Sequence, residues 1–398
     1  MDIHEYQAKE LLSGFGLRVP RGALAYSPEQ ATYCAREIGG EHWVAKAQVH
    51  SGGRGKAGGV VECDSEHAVY EATDKLLGSR LITSRSGKAG KLVHRVYVEE
   101  AVQIVRKFYI GLVLDRKTDR IMVVASAQGG VEIEEITSSR PEALVRCIVD
   151  PAVGMQKFQI RELAFKLDVD VSLLNEYTDF ILCAYRVFEE LDATMVEINP
   201  LVETIEGRLC ALDVKMSFDD NALFRHPEIA ELRDKSQEHP QQSRAIDRGL
   251  QYVVFEGNVG CIVNGAGLGM ATRDMLEHTG ARAASFLDIG GGASAERVAK
   301  AIRLVRADAN VKVLLVNVFA GINRCDWIAQ GIVQALEQDP IDIPIVVRLA
   351  GNKVEQGRKL LSLSGLAVIR ANTLAEAVGR SVRALDTRPI KSKKNTEQ

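Results

Sequence analysis

KAQVHSGGRGKAGGV, from Lys46 to Val60, sets a lysine inside an apolar strand and follows it with a loop of five glycines and two basic residues. Strand alternation puts Val44, Lys46 and Gln48 on one face, where a lysine is costly to bury unless an anion meets it. A loop so free of Cβ atoms can fold closely over phosphates, with its N–H groups and Arg54 as donors. No GxxxxGK(S/T) spacing can be drawn through it, which excludes a Walker A loop. Taken alone, the segment reads equally well as a basic, exposed hairpin turn.

A second constellation changes that balance. VEINPLV places Glu197 and Asn199 two apart on a strand, and ALDVKM places Asp213 on the strand that pairs back across TIEGR. Period two sets Glu197 and Asn199 on one face, and the hairpin can bring Asp213 beside them. Such a set of oxygens suits Mg²⁺, which takes one or two carboxylates and leaves its other positions to water and phosphate. A solvated sheet face is the plainer account of the trio by itself, but beside a phosphate-cradling loop it becomes the weaker one.

Working outward, the chain divides into two textures. Residues 1–240 carry short apolar runs joined by tight polar turns: HWVAKAQV, RVYVEEAV, KFYIGLVLD, IMVVASA, TMVEINPLVE and LCALDVKM. Their hairpin spacing predicts antiparallel sheet with helices alongside, an α+β domain. Residues 241–398 alternate buried strands (VGCIVN, ASFLDI, VKVLLVNVF, PIVVRL, AVIRA) with amphipathic stretches such as SAERVAKAIRLV and TLAEAVGRSVRAL. That alternation predicts a doubly wound parallel sheet of the α/β class. The end, RPIKSKKNTEQ, reads as a frayed polar tail, and Asp2 with Glu5 as the cap of an amphipathic first helix.

The composition excludes several classes. In 398 residues, 50 Lys plus Arg against 53 Asp plus Glu give a formal net charge of −3. No global field then draws the chain onto nucleic acid or anionic lipid, so any anion must be bound locally. The seven cysteines are scattered without a CxxC pair, against both a disulfide framework and a structural zinc site. No secretory or membrane-spanning segment is legible, and a cytoplasmic location is expected, with no nucleic-acid or membrane partner.

The 34 glycines gather where ligands would sit. In VGCIVNGAGLGMATRDML the spacing is GxGxG, so the dinucleotide fingerprint is not met. The turn still lies at the carboxyl end of a parallel strand, where α/β sheets bind ligands, and Asn264 stands there. LDIGGGASAERVAKAI repeats the arrangement, with Gly290, Gly291 and Gly292 before a helix that Ser294 caps. A helix start of this kind can receive an anion. VNVFAGINRCDW supplies a third turn, where backbone amides and Arg324 could hold a carboxylate, although Arg324 reads equally as a surface cation.

The order KAQVH-GGRGKAGG, VYVEE, EINPL, LD-K and NALFR closely resembles the β subunit of the succinyl-CoA synthetase family, over nearly the whole chain. That resemblance implies an N-terminal ATP-grasp fold followed by a flavodoxin-like CoA-ligase domain. It implies that Lys46, Gly53, Arg54 and Gly55 contact the nucleotide, ATP or GTP, and that Glu99 and the backbone near Val102 hold the base and ribose region. By the same resemblance Asn199 and Asp213 bind Mg²⁺, Glu197 meets a phosphorylated histidine, and Asn264, Gly321, Ile322 and Asn323 cradle the substrate carboxylate. Family members usually carry a glutamate where this chain has Lys107, a reversal of charge at a nucleotide-binding position.

The family's chemistry needs a histidine that carries phosphate, and none of the eight histidines here sits in a glycine-flanked setting. Histidine and CoA fingerprint are both expected from an α subunit, in an αβ or α2β2 assembly. Succinate-using members usually read FGGI followed by Val or Met. FAGINRCDW instead resembles the malate–CoA ligases, and an asparagine there offers a partner for a substrate hydroxyl. Malate is the expected acid and succinate the alternative.

Overall fold

The computed structural model describes residues 1–386 apart from Lys88 and Ile341, so the tail expected at 388–398 lies outside them. The chain forms two compact units, Met1–Gln237 and one beginning at Glu238.

The first unit opens with α1 (Glu5–Gly14), β1 (Gly22–Ala25), α2 (Pro28–Ile38), β2 (Trp43–Ala47), β3 (Val60–Cys63) and α3 (Glu66–Leu76). A short hairpin, β4 (Arg80–Leu81) and β5 (Lys91–Leu92), leads to β6 (Val96–Glu100). Strands in the order β1-β6-β2-β3 make an antiparallel sheet. Its core of Trp43, Val69, Leu76 and Val98 packs beneath α2 and α3. Those two helices begin where Ser27 and Ser65 accept the N–H groups of Gln30 and Ala68, each satisfying a donor the helix start leaves free.

A second sheet follows, built from β7 (Ile104–Asp115), β8 (Arg120–Ser126), α4 (Ile133–Ser139), β9 (Val145–Ile148), α5 (Lys157–Lys166), α6 (Leu174–Glu190), β10 (Ala193–Thr204), β11 (Leu209–Ala211), β12 (Val214–Phe218) and α7 (Pro227–Ala230). The strand order is β11-β10-β7-β8-β9, with β12 also paired to β10. Ile3 and Leu12 of the amino-terminal segment pack with Phe108, Ile110, Tyr177 and Ile181 on one face of this sheet. The hairpins expected at RKTDR and TIEGR are both present.

Two local expectations are corrected. Asp2 does not cap α1: the His4 N–H donates to Gln7 Oε1 at 2.8 Å, Asp2 bonds Ser217, and Glu5 is buried. Asp213 is not on a strand but in the break between β11 and β12. There its carbonyl oxygen accepts the Asn199 N–H at 2.9 Å, keeping the hairpin closed.

The second unit runs α8 (Pro240–Ile246), β13 (Gln251–Val254), β14 (Val259–Val263), α9 (Ala266–His278), β15 (Ala283–Asp288), α10 (Ala295–Arg306), β16 (Val313–Ala320), α11 (Cys325–Gln338), β17 (Ile345–Gly351), α12 (Val354–Leu363), β18 (Val368–Ala371) and α13 (Leu374–Asp386). Its order is β13-β15-β14-β16-β17-β18. The five expected strands are parallel, in the flavodoxin-like order 2-1-3-4-5. β13 is an added antiparallel edge, with Tyr252 buried and its neighbours largely exposed, too little apolar alternation to read as a strand beforehand. No helix among the described residues is long and apolar enough to cross a membrane.

Gly331 lets α11 lie against α10, because a Cβ there would stand 2.4 Å from the Ala295 carbonyl oxygen and 2.7 Å from Val298 Cβ. Helix propensity alone favours Gly331→Ala by about 1 kcal/mol, whereas the overlap predicts a net loss of about 1–3 kcal/mol. A lowered urea midpoint is the expected result; a raised one would mean the helices separate freely.

Candidate functional site

In the first unit the glycine loop and the β10–β12 hairpin face each other across a cleft of about 270 Å³, lined among others by Gly53, Arg54, Gly55, Glu197, Asn199 and Asp213. Those six expected residues therefore meet at one place. Gly53 adopts φ +74°, a left-handed backbone conformation that favours glycine, with the Glu132 carboxylate close against its open side.

Behind the cleft lies a cluster of charges. Glu5 and Lys9 come from α1, Lys46 from β2, Arg54 from the loop, Glu99 from β6 and Asp213 from the break before β12. Lys46 Nζ lies 3.0 Å from Glu5 and 2.5 Å from Glu99, and also donates to the Leu212 carbonyl oxygen at 2.6 Å. Lys9 Nζ meets Glu5 at 2.9 Å and bonds Glu99; Arg54 bonds Glu5 and reaches Asp213 at 2.6 Å. Three acids balance three bases, and all but the half-exposed Asp213 are buried. The anion expected to compensate Lys46 is thus supplied by the chain itself.

The titrations follow from this arrangement. Burial pushes the Glu5 carboxyl up, but Arg54, Lys46 and Lys9 outweigh it and hold Glu5 well below the usual carboxylate range. Asp213 shares Arg54 with Glu5: although its side chain is partly exposed at the cleft, loss of water on its inner side together with Glu5 carries it upward against the pull of Arg54. Glu197 is raised as well, chiefly by burial, which places a carboxyl of adjustable charge on the cleft wall. Asn199 bonds the facing turn through both ends of its amide, accepting the Gly130 N–H at 2.7 Å and donating to the Val131 carbonyl oxygen at 2.9 Å.

Other expected residues stand apart. Glu99 is 2% exposed and held between Lys9 and Lys46, Val102 lies in the turn after β6, and Lys107 is exposed on β7. None of the three lines the cleft. His50 does, packed against His4 at 4.4 Å between ring centres and pushed down to about 4 by burial and by His4. Among the described residues no group of three or more His, Cys, Asp or Glu is placed to hold a metal. The donors in the cleft are instead a few oxygens, which fits an ion that keeps waters and phosphate in its shell.

The second unit brings its three glycine turns to the carboxyl ends of β14, β15 and β16. Asn264 is half-buried and bonds the Phe319 backbone at both amide ends. Gly321 and Ile322 are exposed, Ile322 at 85%. Ser294 caps α10 as expected, accepting the Arg297 N–H at 3.2 Å. Two readings change. Asn323 does not offer its amide to a substrate hydroxyl: it is 1% exposed, accepting the Ala293 N–H at 2.6 Å and donating to the Gly290 carbonyl oxygen at 2.7 Å. Arg324 is paired in fork fashion to Asp326 at 3.1 and 2.6 Å and lies 4.7 Å over Trp327, so its charge is already met.

Sequence reasoning missed Glu5, Lys9 and Asp288. The first two stand four apart on α1, a spacing that was available, but the same spacing marks exposed helix pairs.

Residues 2–203 match the ATP-grasp domain family and residues 262–382 the CoA-ligase family. A protein named probable malate–CoA ligase subunit beta, from Mesorhizobium japonicum, is 59% identical over 96% of this chain and 98% of its own length. The succinate–CoA ligase [ADP-forming] subunit beta of an Exiguobacterium species is 48% identical over 94% and 97% respectively. A solved structure of ATP citrate lyase from Methanothrix soehngenii, in complex with citrate and coenzyme A, aligns with a TM-score of 0.74 at 20% identity, covering 96% of this chain and 99% of that one. At that identity the likeness is one of fold.

Removing one member of the charge cluster leaves its partners buried and unbalanced. Lys9→Met is expected to cost about 3–5 kcal/mol, read as a lowered midpoint of denaturant unfolding. An unchanged midpoint would show that the cluster contributes nothing to holding α1.

Proposed function

The chain belongs to the family of ADP-forming CoA-ligase β subunits, and on that premise we propose that it is the β subunit of a malate–CoA ligase. The reaction joins malate to CoA as malyl-CoA and converts ATP to ADP and phosphate, by way of a phosphohistidine on an α subunit that also binds CoA. The carrying observation is that one chain holds both an oxygen-lined cleft behind a glycine loop and three glycine turns at the carboxyl ends of a parallel sheet. The first suits nucleotide and Mg²⁺, the second a carboxylate. The gap between 59% and 48% identity supports malate as the acid.

In this reading the Gly53–Gly55 backbone and Arg54 receive phosphate oxygens at the cleft, with Lys46 immediately behind. Glu99 and Val102 serve the base and ribose region, and Lys107 stands where relatives carry a glutamate. Asn199 and Asp213 would hold Mg²⁺, which neutralises phosphate charge when bound. Glu197 faces the incoming phosphohistidine, its raised carboxyl able to accept or share a proton there. Asn264 and the backbone of Gly321, Ile322 and Asn323 receive the acid's carboxylate. What the chain contributes is orientation and preorganised charge.

One observation favours a second reading, a succinate–CoA ligase β subunit. Asn323 is occupied by backbone bonds and leaves no side-chain partner for a hydroxyl at that point of the loop. Steady-state rates of the enzyme reconstituted with its α subunit decide between them. A kcat/KM for malate at least about tenfold above that for succinate is expected, with sustained ADP release only when CoA and acid are both present and at most one ADP per site in their absence. A higher value for succinate would transfer the assignment to the second reading.

A further inference from the structure

Each of the three turns in the second unit sends one side chain to the backbone of another or of the strand end leading into it. Asn264, in the first turn, grips Phe319 at the end of β16, two residues before Gly321 of the third turn: Nδ2 donates to its carbonyl oxygen at 2.8 Å and Oδ1 accepts its N–H at 2.9 Å. Asn323, in the third turn, grips the second, accepting the Ala293 N–H and donating to the Gly290 carbonyl oxygen. Asp288, at the start of the second turn, closes the circuit. Its Oδ1 accepts the Gly265 N–H of the first turn at 2.8 Å and the Gly290 N–H of its own at 2.7 Å.

The links run from the first turn to the strand end that leads into the third, from the third turn to the second and from the second to the first, so a shift of any one strains its ties to the others. These bonds also determine which amides remain free. The N–H groups of Gly265 and Gly290 are taken by Asp288. Those of Ile322 and Asn323 make no hydrogen bond among the described residues, beside an isoleucine that is itself exposed. A carboxylate reaching these turns finds the Ile322 and Asn323 amides of the third open, beside the open amides at Gly291 and Gly292 of the second and at the start of α9, and the third loop is tied to the other two.

Resting on the reading of these turns as the acid site, we propose that Asp288 and Asn323 are positioning residues. They hold the Ile322 and Asn323 amides in the geometry that receives the substrate carboxylate, and neither side chain touches the acid. Asp288 does this as a double acceptor, for which its charge is dispensable. Asn323 does it equally for hydroxylated and plain dicarboxylates.

The test uses the enzyme assembled with its α subunit, carrying Asp288→Ala, Asp288→Asn or Asn323→Ala. Asp288→Ala is expected to raise the KM for the acid about tenfold, with a smaller fall in kcat and an unchanged KM for ATP. Asp288→Asn keeps an oxygen that can accept both N–H groups and is expected to stay within about threefold of wild type. Asn323→Ala should lower kcat/KM for malate and succinate by the same factor. Loss of malate use alone would give Asn323 to the hydroxyl and overturn the proposal. An Asp288→Asn as damaged as Asp288→Ala, or an Asp288→Ala with the wild-type acid KM, would overturn it too. Hydrogen exchange over residues 263–268 and 288–294 reads the ring without any substrate: faster in Asp288→Ala and restored in Asp288→Asn if the ring exists, unchanged if it does not. A wild-type enzyme that forms no thioester with either acid would defeat the functional reading, and the exchange pattern would still decide the ring.

Discussion

The first unit depends on the neutrality of one buried charge cluster. Glu5, Lys9, Lys46, Arg54, Glu99 and Asp213 come from α1, from the four-stranded sheet and its loop, and from the hairpin of the six-stranded sheet. Burying any one of them unpaired would cost several kcal/mol, so each fixes where the others can be. That constraint sets α1 against both sheets, although only its apolar face, through Leu12, belongs to a core. It also sets what the cleft presents. Arg54 cannot swing away from Glu5, and Asp213 is aimed by Arg54 on its side chain and by Asn199 on its backbone. The cost is competition, because the cations a nucleotide would meet already hold carboxylates.

The second unit solves a related problem largely without charge. Its turns are glycine-rich and could wander, and the loop that exposes Ile322 has little apolar packing of its own. Short polar side chains at the strand ends tie each turn to the next, using groups that would otherwise be unsatisfied at the top of a parallel sheet. Under the proposed function the two units prepare their anion sites by different means, one by opposed ion pairs and the other by amides held in place.

Much of this was legible in the sequence. The apolar runs of the second half gave five strands, and their alternation with helices gave the parallel order. The Gly53–Gly55 loop, Glu197, Asn199 and Asp213 could be grouped because alternation and a hairpin turn are local rules. What was not legible depended on contacts distant in sequence. Glu5 and Lys9 resemble any exposed helix pair until Lys46 and Glu99 are folded against them. Asn323 was read as a free amide because nothing near it in sequence shows that Gly290 and Ala293 stand within reach. β13 escaped notice because an edge strand with one buried tyrosine has hardly any pattern to detect.

In the proposed function, Mg²⁺ held by Asp213 and Asn199 carries nucleotide binding at the cleft. Isothermal titration of ATP into the protein, with Mg²⁺ and with a chelator, tests it directly, using wild type and Asp213→Asn. One site per chain is expected, bound at least about tenfold more tightly with Mg²⁺, with loss of that difference in Asp213→Asn while metal-free binding persists. Absence of ATP binding by the wild type, or a Mg²⁺ dependence left intact in the variant, would contradict it.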